Sequence, residues 1–239
     1  MRFHRWVLAT VALVRLFMLP GVAAQAPPQT QTRPHEPGGS HDATVQHPFD
    51  DADRWAKVFD DPGRDTWQKP SEVAKALGLK PGMVVADLGS GTGYFARTLS
   101  EAVRPGGMVL ALDVEPSMVR YLAARARKEG LENLVPVLAL PDDPFLPKGR
   151  IDRVLIVDTY HHLSSRLDYF RRMRGSMAPG GKVAVADFQK RPLPVGPPPE
   201  HKLEPQFVIQ EMNEAGWRLV EEKDFLPYQY FLIFEPAQR

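Results

Sequence analysis

The sequence predicts an α/β domain with a doubly wound, mostly parallel sheet. Short runs rich in Val, Leu and Ile alternate with segments of helical periodicity, the order expected of a parallel sheet with helices on both faces. The first run, 83–88, leads into three glycines at alternate positions and then into a helical segment. Two runs near the C-terminus, 217–225 and 228–234, are separated by a short turn and predict a closing antiparallel hairpin.

Length and composition fit one such domain with additional segments. The chain has 239 residues, and 30 Lys and Arg against 29 Asp and Glu leave a net charge of +1. There is no excess of basic residues of the kind that binds nucleic acid, so we expect no nucleic-acid partner. The absence of cysteine excludes disulfides, thiolate metal ligands and a cysteine nucleophile.

Residues 1–26 have the pattern of an export signal. Arg2 and Arg5 give the start of the chain a positive charge, residues 6–19 are mostly apolar, and Ala24-Gln25-Ala26 resembles a cleavage site. Because Arg15 interrupts the apolar run, the stretch is short for a membrane span. We therefore predict a cleaved signal peptide and an exported protein, periplasmic or secreted, with no stable membrane span once the signal is cleaved. An uncleaved membrane anchor is the alternative.

Residues 27–49 are polar and rich in Pro, Gln and Thr, which predicts a flexible linker. His35, His41 and His47 recur at six-residue spacing. Nothing rigid would hold them at ligand distance, so we predict no metal site.

The folded domain, predicted over 50–239, begins with a helical cap. Asp50 or Asp51 can cap a helix that places Trp55 and Phe59 on one face, and a second helix is predicted over 71–77. A turn then leads into the first strand.

The three glycines after this strand mark a ligand site. Gly89, Gly91 and Gly93 lack Cβ atoms where the backbone turns sharply, so a ligand can lie against the main chain. The N–H groups of the following helix favour a negatively charged group there. The dinucleotide pattern G-x-G-x-x-G requires glycine at position 94, where this chain has Tyr94. A nicotinamide-dependent oxidoreductase is therefore the weaker interpretation.

The order Asp87-x-Gly89-x-Gly91-x-Gly93 resembles motif I of the class I S-adenosylmethionine (SAM) methyltransferases. The turn at Pro179-Gly180-Gly181 before the fifth strand is also similar, and the resemblance covers about residues 64–235. It implies a Rossmann-like, seven-stranded, mostly parallel sheet with an antiparallel last strand. It also implies that SAM is the cofactor, that the acceptor is a small molecule, and that SAM contacts Asp87, Gly89, Ser90, Gly91 and Gly93.

Two further acids extend this site toward the adenosine part of SAM. Asp113 follows the predicted strand 108–112, twenty residues beyond Gly93, where doubly wound folds place a carboxylate on the ribose hydroxyls. The alternative is that Asp113 caps the next helix. The resemblance implies that Val114 and Met118 lie beside the adenine. It also implies an acid on the adenine amine after the third strand, and we favour Asp142 over Asp143; both could instead be loop acids.

The end of the predicted fourth strand, 151–158, carries the candidate catalytic groups. Ligands of open parallel sheets bind beyond the carboxyl ends of the strands, so Asp158 is expected to contact the cofactor. Tyr160, His161 and His162 follow and are our candidates for a base or for a group that orients the acceptor. Alternatively, one histidine caps the next helix and the other packs beneath SAM.

Two loops are expected to complete the site. The resemblance implies that the segment before the first strand lies over SAM, so Arg64, Trp67, Gln68 or Lys69 can contact the SAM carboxylate, and we include Gln68 in the cofactor site. Local packing is the alternative. The proline-rich loop 189–204 lies where this fold carries substrate-specific insertions, although we interpret its His201 as a surface residue.

These patterns predict a SAM-dependent methyltransferase whose acceptor the sequence does not identify. The alternatives are a protein that binds SAM or a related nucleoside without transferring a methyl group and, less favoured, the NAD-dependent oxidoreductase.

Overall fold

The computed structural model describes residue 49 and residues 51–238. The predicted signal peptide and almost all of the predicted linker lie outside these residues. Within the part of the chain that is described, no helix combines the length and the apolar character needed to cross a membrane.

Seven strands form a single sheet. They are β1 Val84–Leu88, β2 Met108–Asp113, β3 Leu134–Leu138, β4 Ile151–Val157, β5 Met177–Phe188, β6 Trp217–Lys223 and β7 Gln229–Pro236. Their order across the sheet is β3-β2-β1-β4-β5-β7-β6. The first five strands pair in parallel, and β7 is antiparallel to both of its neighbours. The predicted fold, including the antiparallel last strand, is confirmed.

The described residues contain seven α-helices. They are α1 Ala52–Phe59, α2 Asp65–Gln68, α3 Pro70–Ala76, α4 Ala96–Ala102, α5 Pro116–Glu129, α6 Arg166–Met173 and α7 Pro205–Glu214. Local sequence sets several of their ends. The Asp51 side chain accepts the Arg54 N–H at 3.0 Å and caps α1. Helix α5 starts with Pro116 and stops at Gly130, whose φ of 65° is left-handed.

Some boundaries differ from the prediction. The helical pattern after the glycines predicts a helix from about residue 94, but the glycine turn continues to Phe95 and α4 starts at Ala96. The apolar spacing of Leu167, Phe170 and Met173 predicts a helix from about residue 164 to 177, but α6 ends at Met173, where a 3-10 turn follows. Strand β5 includes the predicted turn around Gly180, where its pairing with β4 is irregular. Residues 144–149 contain two prolines, which disfavour a helix, and no helix joins β3 to β4.

Two hydrophobic clusters cover the two faces of the sheet. One contains side chains of α6 and α7 against β4 and β5. The other contains side chains of α3, α4 and α5 against β1 and β2. Strand order reverses between β1 and β4, and at such a point a crevice opens beyond the carboxyl ends of the strands.

Candidate active site

A cavity of about 1290 Å³ lies at this crevice. Its wall includes the glycine turn, the ends of β1, β2 and β4, helix α1 and residues 195–197 of the proline-rich loop. Pockets for a single small ligand usually have about 300–1,000 Å³, so this cavity is large enough for a cofactor and an acceptor together.

The glycine turn admits only glycine at its two ends. Gly89, Gly91 and Gly93 have φ values of 69°, 55° and 87°. A Cβ on Gly89 would lie 2.2 Å from Thr159 Oγ1, and one on Gly93 would lie 2.4 Å from Leu122 Cδ2. The turn is therefore a bare main-chain surface that faces the cavity through Gly89, Ser90 and Gly91.

Asp113 has the position predicted for a ribose ligand. It lines the cavity, and its two carboxylate oxygens accept the N–H groups of Gly91 at 2.8 Å and Glu115 at 2.9 Å. Each oxygen can accept a further hydrogen bond, so the held carboxylate can still receive two hydroxyl groups. Burial raises the pKa of Asp113 above its usual value.

Apolar side chains beyond Asp113 form a slot for a flat ring. Val114 and Leu140 line the cavity and are exposed, whereas Met118 lines it from a buried position. A flat ring such as adenine can pack on these apolar side chains, and Val114 and Met118 stay our candidates for that contact.

Asp142 does not join this slot. Its side chain is 61% exposed, lies 3.8 Å from Arg172 Nη1 and does not line the cavity. The loop after β3 instead presents Leu140 and Pro141 to the cavity. The structure thus places our candidate for the adenine amine outside the site.

Asp87 lines the cavity beneath the glycine turn and is 3% exposed. Burial raises its pKa to about 7, because the charged carboxylate loses hydration. A positively charged ligand group in the cavity would stabilise the ionised form.

Gln68 is buried behind the cavity wall instead of lining it. Its Nε2 donates to Asp158 Oδ2 at 2.9 Å, and its Oε1 accepts from Arg64 Nε at 2.7 Å. Gln229 Nε2 holds the other oxygen, Asp158 Oδ1, at 2.6 Å. The two amides fix Asp158, which does line the cavity and has an unusual left-handed φ of 51°. Burial, with Asp187 nearby, raises the pKa of Asp158 to about 6.

Unlike Gln68, Arg64 and Trp67 line the cavity. The Arg64 guanidinium lies 4.1 Å from the centre of the Tyr94 ring and donates to the Phe59 carbonyl. It is the wall's one Arg or Lys among the described residues. Arg64 is therefore the better candidate for the SAM carboxylate.

Tyr160 points away from the cavity, against our prediction of a catalytic role. It is fully buried, its hydroxyl donates to Glu211 Oε2 at 3.0 Å, and its ring stacks on Phe170 with centroids 5.2 Å apart. It fastens the 3-10 turn after β4 to α6 and α7.

His161 lines the cavity and is paired with a buried carboxylate. Its Nδ1 lies 2.8 Å from Asp187 Oδ2, and Asp187 is itself held by the Phe188 N–H at 2.8 Å. Burial alone would lower the pKa of His161, but the charge and hydrogen bond of Asp187, with Asp158, raise it above the usual value. With Nδ1 engaged, Nε2 is the nitrogen that can take a proton.

His162 also lines the cavity, with its ring centroid 4.1 Å from that of His161. The Phe49 ring lies edge-on to it at 5.8 Å.

Sequence reasoning missed Asp187 as a site residue and undervalued His201, which lines the cavity. One signal could have indicated Asp187. It is an acid at the carboxyl end of β5, and β5 pairs with β4, the strand that the histidines follow.

Comparisons with known proteins agree with this geometry. The family described as "Methyltransferase domain" matches residues 85–181. The "Ubiquinone/menaquinone biosynthesis C-methyltransferase UbiE" of Bordetella avium is 31% identical over 119 residues, which are 50% of this chain and 46% of that protein. The "Demethylmenaquinone methyltransferase" of Lactococcus lactis is 27% identical over 149 residues, 61% of this chain and 57% of that protein. The chain spans about half the length of the curated relatives it matches.

Among solved structures, a SAM-dependent methyltransferase from Aquifex aeolicus is 30% identical with a TM-score of 0.73, covering 77% of this chain and 97% of that one. A putative type 11 methyltransferase from Sulfolobus solfataricus is 16% identical with a TM-score of 0.54 over 66% and 86% of the two chains, and shows the fold alone.

The sheet order, the glycine turn and the Asp113 carboxylate are typical of an enzyme that holds a nucleoside cofactor at the ends of its parallel strands. The chain belongs to the class I SAM-dependent methyltransferases, and SAM is its cofactor.

Proposed function

We propose that this methyltransferase acts on a small hydroxylated aromatic molecule and that His161 removes the acceptor's proton. The observation that carries the proposal is the buried Asp187–His161 pair in the cavity wall, at 2.8 Å. SAM, when bound, supplies a methyl group on a positively charged sulfur, so the protein has only to align the acceptor and remove its proton.

The pair has the features of a general base. Asp187 engages Nδ1 and fixes the orientation of the ring, which leaves Nε2 for the acceptor hydroxyl. The raised pKa makes Nε2 a stronger base than an ordinary histidine nitrogen. The hydroxyl proton goes to Nε2 and from there to solvent, and the acceptor becomes a phenolate, which is nucleophilic at oxygen and at the adjacent ring carbon.

Two groups of aromatic side chains line the same cavity as this base. In one group the Phe49 ring centroid lies 4.8 Å from that of Trp55, which lies 5.3 Å from that of Phe59. In the other group the Trp67 ring centroid lies 5.9 Å from that of Phe188. All five line the cavity. Such walls favour a flat, largely apolar acceptor, because aromatic rings pack on one another by stacking and edge contacts.

The relatives support the same class. One is named as a C-methyltransferase of ubiquinone/menaquinone biosynthesis, and another as a demethylmenaquinone methyltransferase. We therefore propose a ring carbon beside the hydroxyl as the methylated atom. This carbon takes the methyl group, whose bond to sulfur breaks with the electron pair left on sulfur. The carbon then loses its own hydrogen as a proton, which restores the aromatic ring.

The test is methyl transfer from isotope-labelled SAM to hydroquinones, catechols and simple phenols, with alkyl amines and thiols as comparison acceptors. We expect labelled product from a hydroxylated ring, with the position read by NMR. His161→Gln should bind SAM normally by calorimetry and lose about 10²–10⁴-fold in turnover, the usual contribution of a general base. His201→Gln, which replaces another histidine of the cavity wall, is the matched control. Wild-type turnover in His161→Gln, or transfer confined to amines or thiols, would refute the proposal.

We also propose that the enzyme is exported, which only the sequence pattern of residues 1–26 supports. N-terminal mass spectrometry of the protein from its native periplasmic or secreted fraction should find a chain that starts near Ala26. Intact Met1 in a cytosolic fraction would contradict it.

A further inference from the structure

Lys202 is a buried lysine at the end of the proline-rich loop 189–204, the segment we call the acceptor loop. Its side chain is 1% exposed, although lysine is rarely buried without a partner. The ammonium nitrogen Nζ donates to the Arg191 carbonyl at 2.9 Å and lies 5.7 Å from the centre of the Phe188 ring. Lys202 does not line the cavity and has no part in the proton transfer proposed above.

The hydrogen bond of Lys202 closes the acceptor loop at its base. It joins two residues that are eleven positions apart in the chain. The first of them, Arg191, is anchored to the hairpin through its contact with the Pro227 carbonyl at 3.1 Å. Residues 192–201 therefore form a closed loop that starts and ends at one point of the domain.

The far part of the loop reaches the acceptor side of the cavity. Val195, Gly196, Pro197 and His201 all line it. Gly196 has a φ of 81°, and a Cβ there would lie 2.6 Å from the Phe188 ring. The loop backbone thus packs directly on Phe188.

Phe188 connects the loop to the base. Gly196 packs against its ring, and the Lys202 ammonium lies near the same ring. The backbone N–H of Phe188 donates to the Asp187 carboxylate at 2.8 Å. The position of the loop is therefore set by contacts that lead to His161. In contrast, Asp87 lies on β1, Asp113 lies on β2, and the glycine turn follows β1.

We propose that Lys202 is a positioning residue that holds the acceptor loop against Phe188, so that acceptor binding depends on it and SAM binding does not. The proposal rests on the proposed function only in placing the acceptor between the loop and His161. A lysine suits this place because its ammonium can donate to a buried carbonyl at the end of a long apolar stem.

The test compares Lys202→Met with Lys190→Met. Methionine fills similar space without donating a hydrogen bond, and Lys190 is an exposed lysine of the same loop, so both variants lose one charge. For Lys202→Met we expect the acceptor KM to rise about tenfold or more, as for loss of a hydrogen bond to a charged group. The SAM Kd and the turnover at saturating acceptor should stay within about twofold of wild type, as should all constants of Lys190→Met.

Hydrogen exchange tests the role of Lys202 independently of which acceptor the enzyme uses. Lys202→Met should speed amide exchange in residues 193–201 and leave the glycine turn unchanged, whether or not a hydroxylated ring is the substrate. Unchanged exchange in the loop, or equal losses of SAM and acceptor binding, would overturn the positioning role.

A second variant covers the case in which Lys202→Met does not fold. Gly196→Ala keeps Lys202 but forces a Cβ toward Phe188, so it should raise the acceptor KM and the loop exchange while the SAM Kd stays constant. A normal acceptor KM in this variant would show that the loop does not shape the acceptor site.

Discussion

Replacing Asp87 with Asn should stabilise the protein without its cofactor and weaken its hold on SAM. The Asp87 carboxyl is 3% exposed, and burial raises its pKa from 3.8 to about 7. Because the folded pKa lies above the unfolded one, the unfolded state releases this proton first, and folding stability falls as the pH rises from about 4 to 7. A gap of about three pKa units corresponds to roughly 4 kcal/mol at about 1.36 kcal/mol per unit.

Asparagine has the same shape and does not ionise. At pH 8 we therefore expect Asp87→Asn to be more stable than wild type by up to roughly 4 kcal/mol, and at pH 4 to differ little. Its SAM affinity should fall by about tenfold or more, as expected when a charged hydrogen-bond acceptor is lost. Urea unfolding between pH 4 and 8 measures the first effect, and calorimetry with SAM measures the second.

The quantity to compare is the stability difference between variant and wild type at each pH. Other buried groups, such as Asp158 with a pKa of about 6, also titrate in this range. They contribute to the stability of both proteins, so their contribution cancels in the difference. Asp142→Asn changes an exposed carboxylate outside the cavity and serves as the control. A variant less stable than wild type at pH 8, or a difference that does not vary with pH, would refute the reasoning.

Three other substitutions test the remaining assignments. Asp113→Ala should weaken SAM binding by about 1–3 kcal/mol in calorimetry, because the ribose hydroxyls lose their acceptor; unchanged affinity would contradict the ribose assignment. Asp187→Asn should move the acidic limb of the kcat/KM profile to lower pH, because Asp187 keeps the pKa of His161 raised; an unmoved limb would mean that another group is the base. Tyr160→Phe should keep turnover and lose about 1 kcal/mol of stability in urea unfolding, since its hydroxyl contacts Glu211 and not the cavity; a large loss of turnover would restore a catalytic role for Tyr160.

The cofactor side of the site could be predicted because its features are local in sequence. A buried strand, an acid and three alternating glycines occupy consecutive positions, and each glycine has the positive φ that its residue type allows. Asp113 follows the next strand directly, so strand pairing brings it to the same edge, where it accepts the Gly91 N–H.

The acceptor side depends on contacts between distant residues. Asp187 reaches His161 only because β4 and β5 pair with Val157 opposite Ala186, and a shift in that register would separate them. The directions of Tyr160 and Asp142 are set by a 3-10 turn and an irregular loop, which no periodicity describes. Of the three adjacent candidates after β4, Tyr160 packs in the core, whereas His161 and His162 line the cavity.

Buried carboxylates with raised pKa values link cofactor binding to proton release. Burial raises the pKa of Asp87, Asp113 and Asp158, and all three line the cavity. SAM carries a sulfonium and an ammonium group, and a nearby positive charge lowers the pKa of a carboxylate. Binding at pH 6–7 should therefore release protons, because Asp87 and Asp158 are partly protonated there before SAM binds.

Calorimetry in two buffers of different ionisation enthalpy measures this release directly. We expect a fraction of a proton to leave near pH 7 and none at pH 9, where the carboxyl groups are already ionised. Asp87→Asn should reduce the release near pH 7, and Asp142→Asn should not. Net proton uptake on binding near pH 6, or a release that persists at pH 9, would mean that these carboxylates do not face the positive groups of the cofactor.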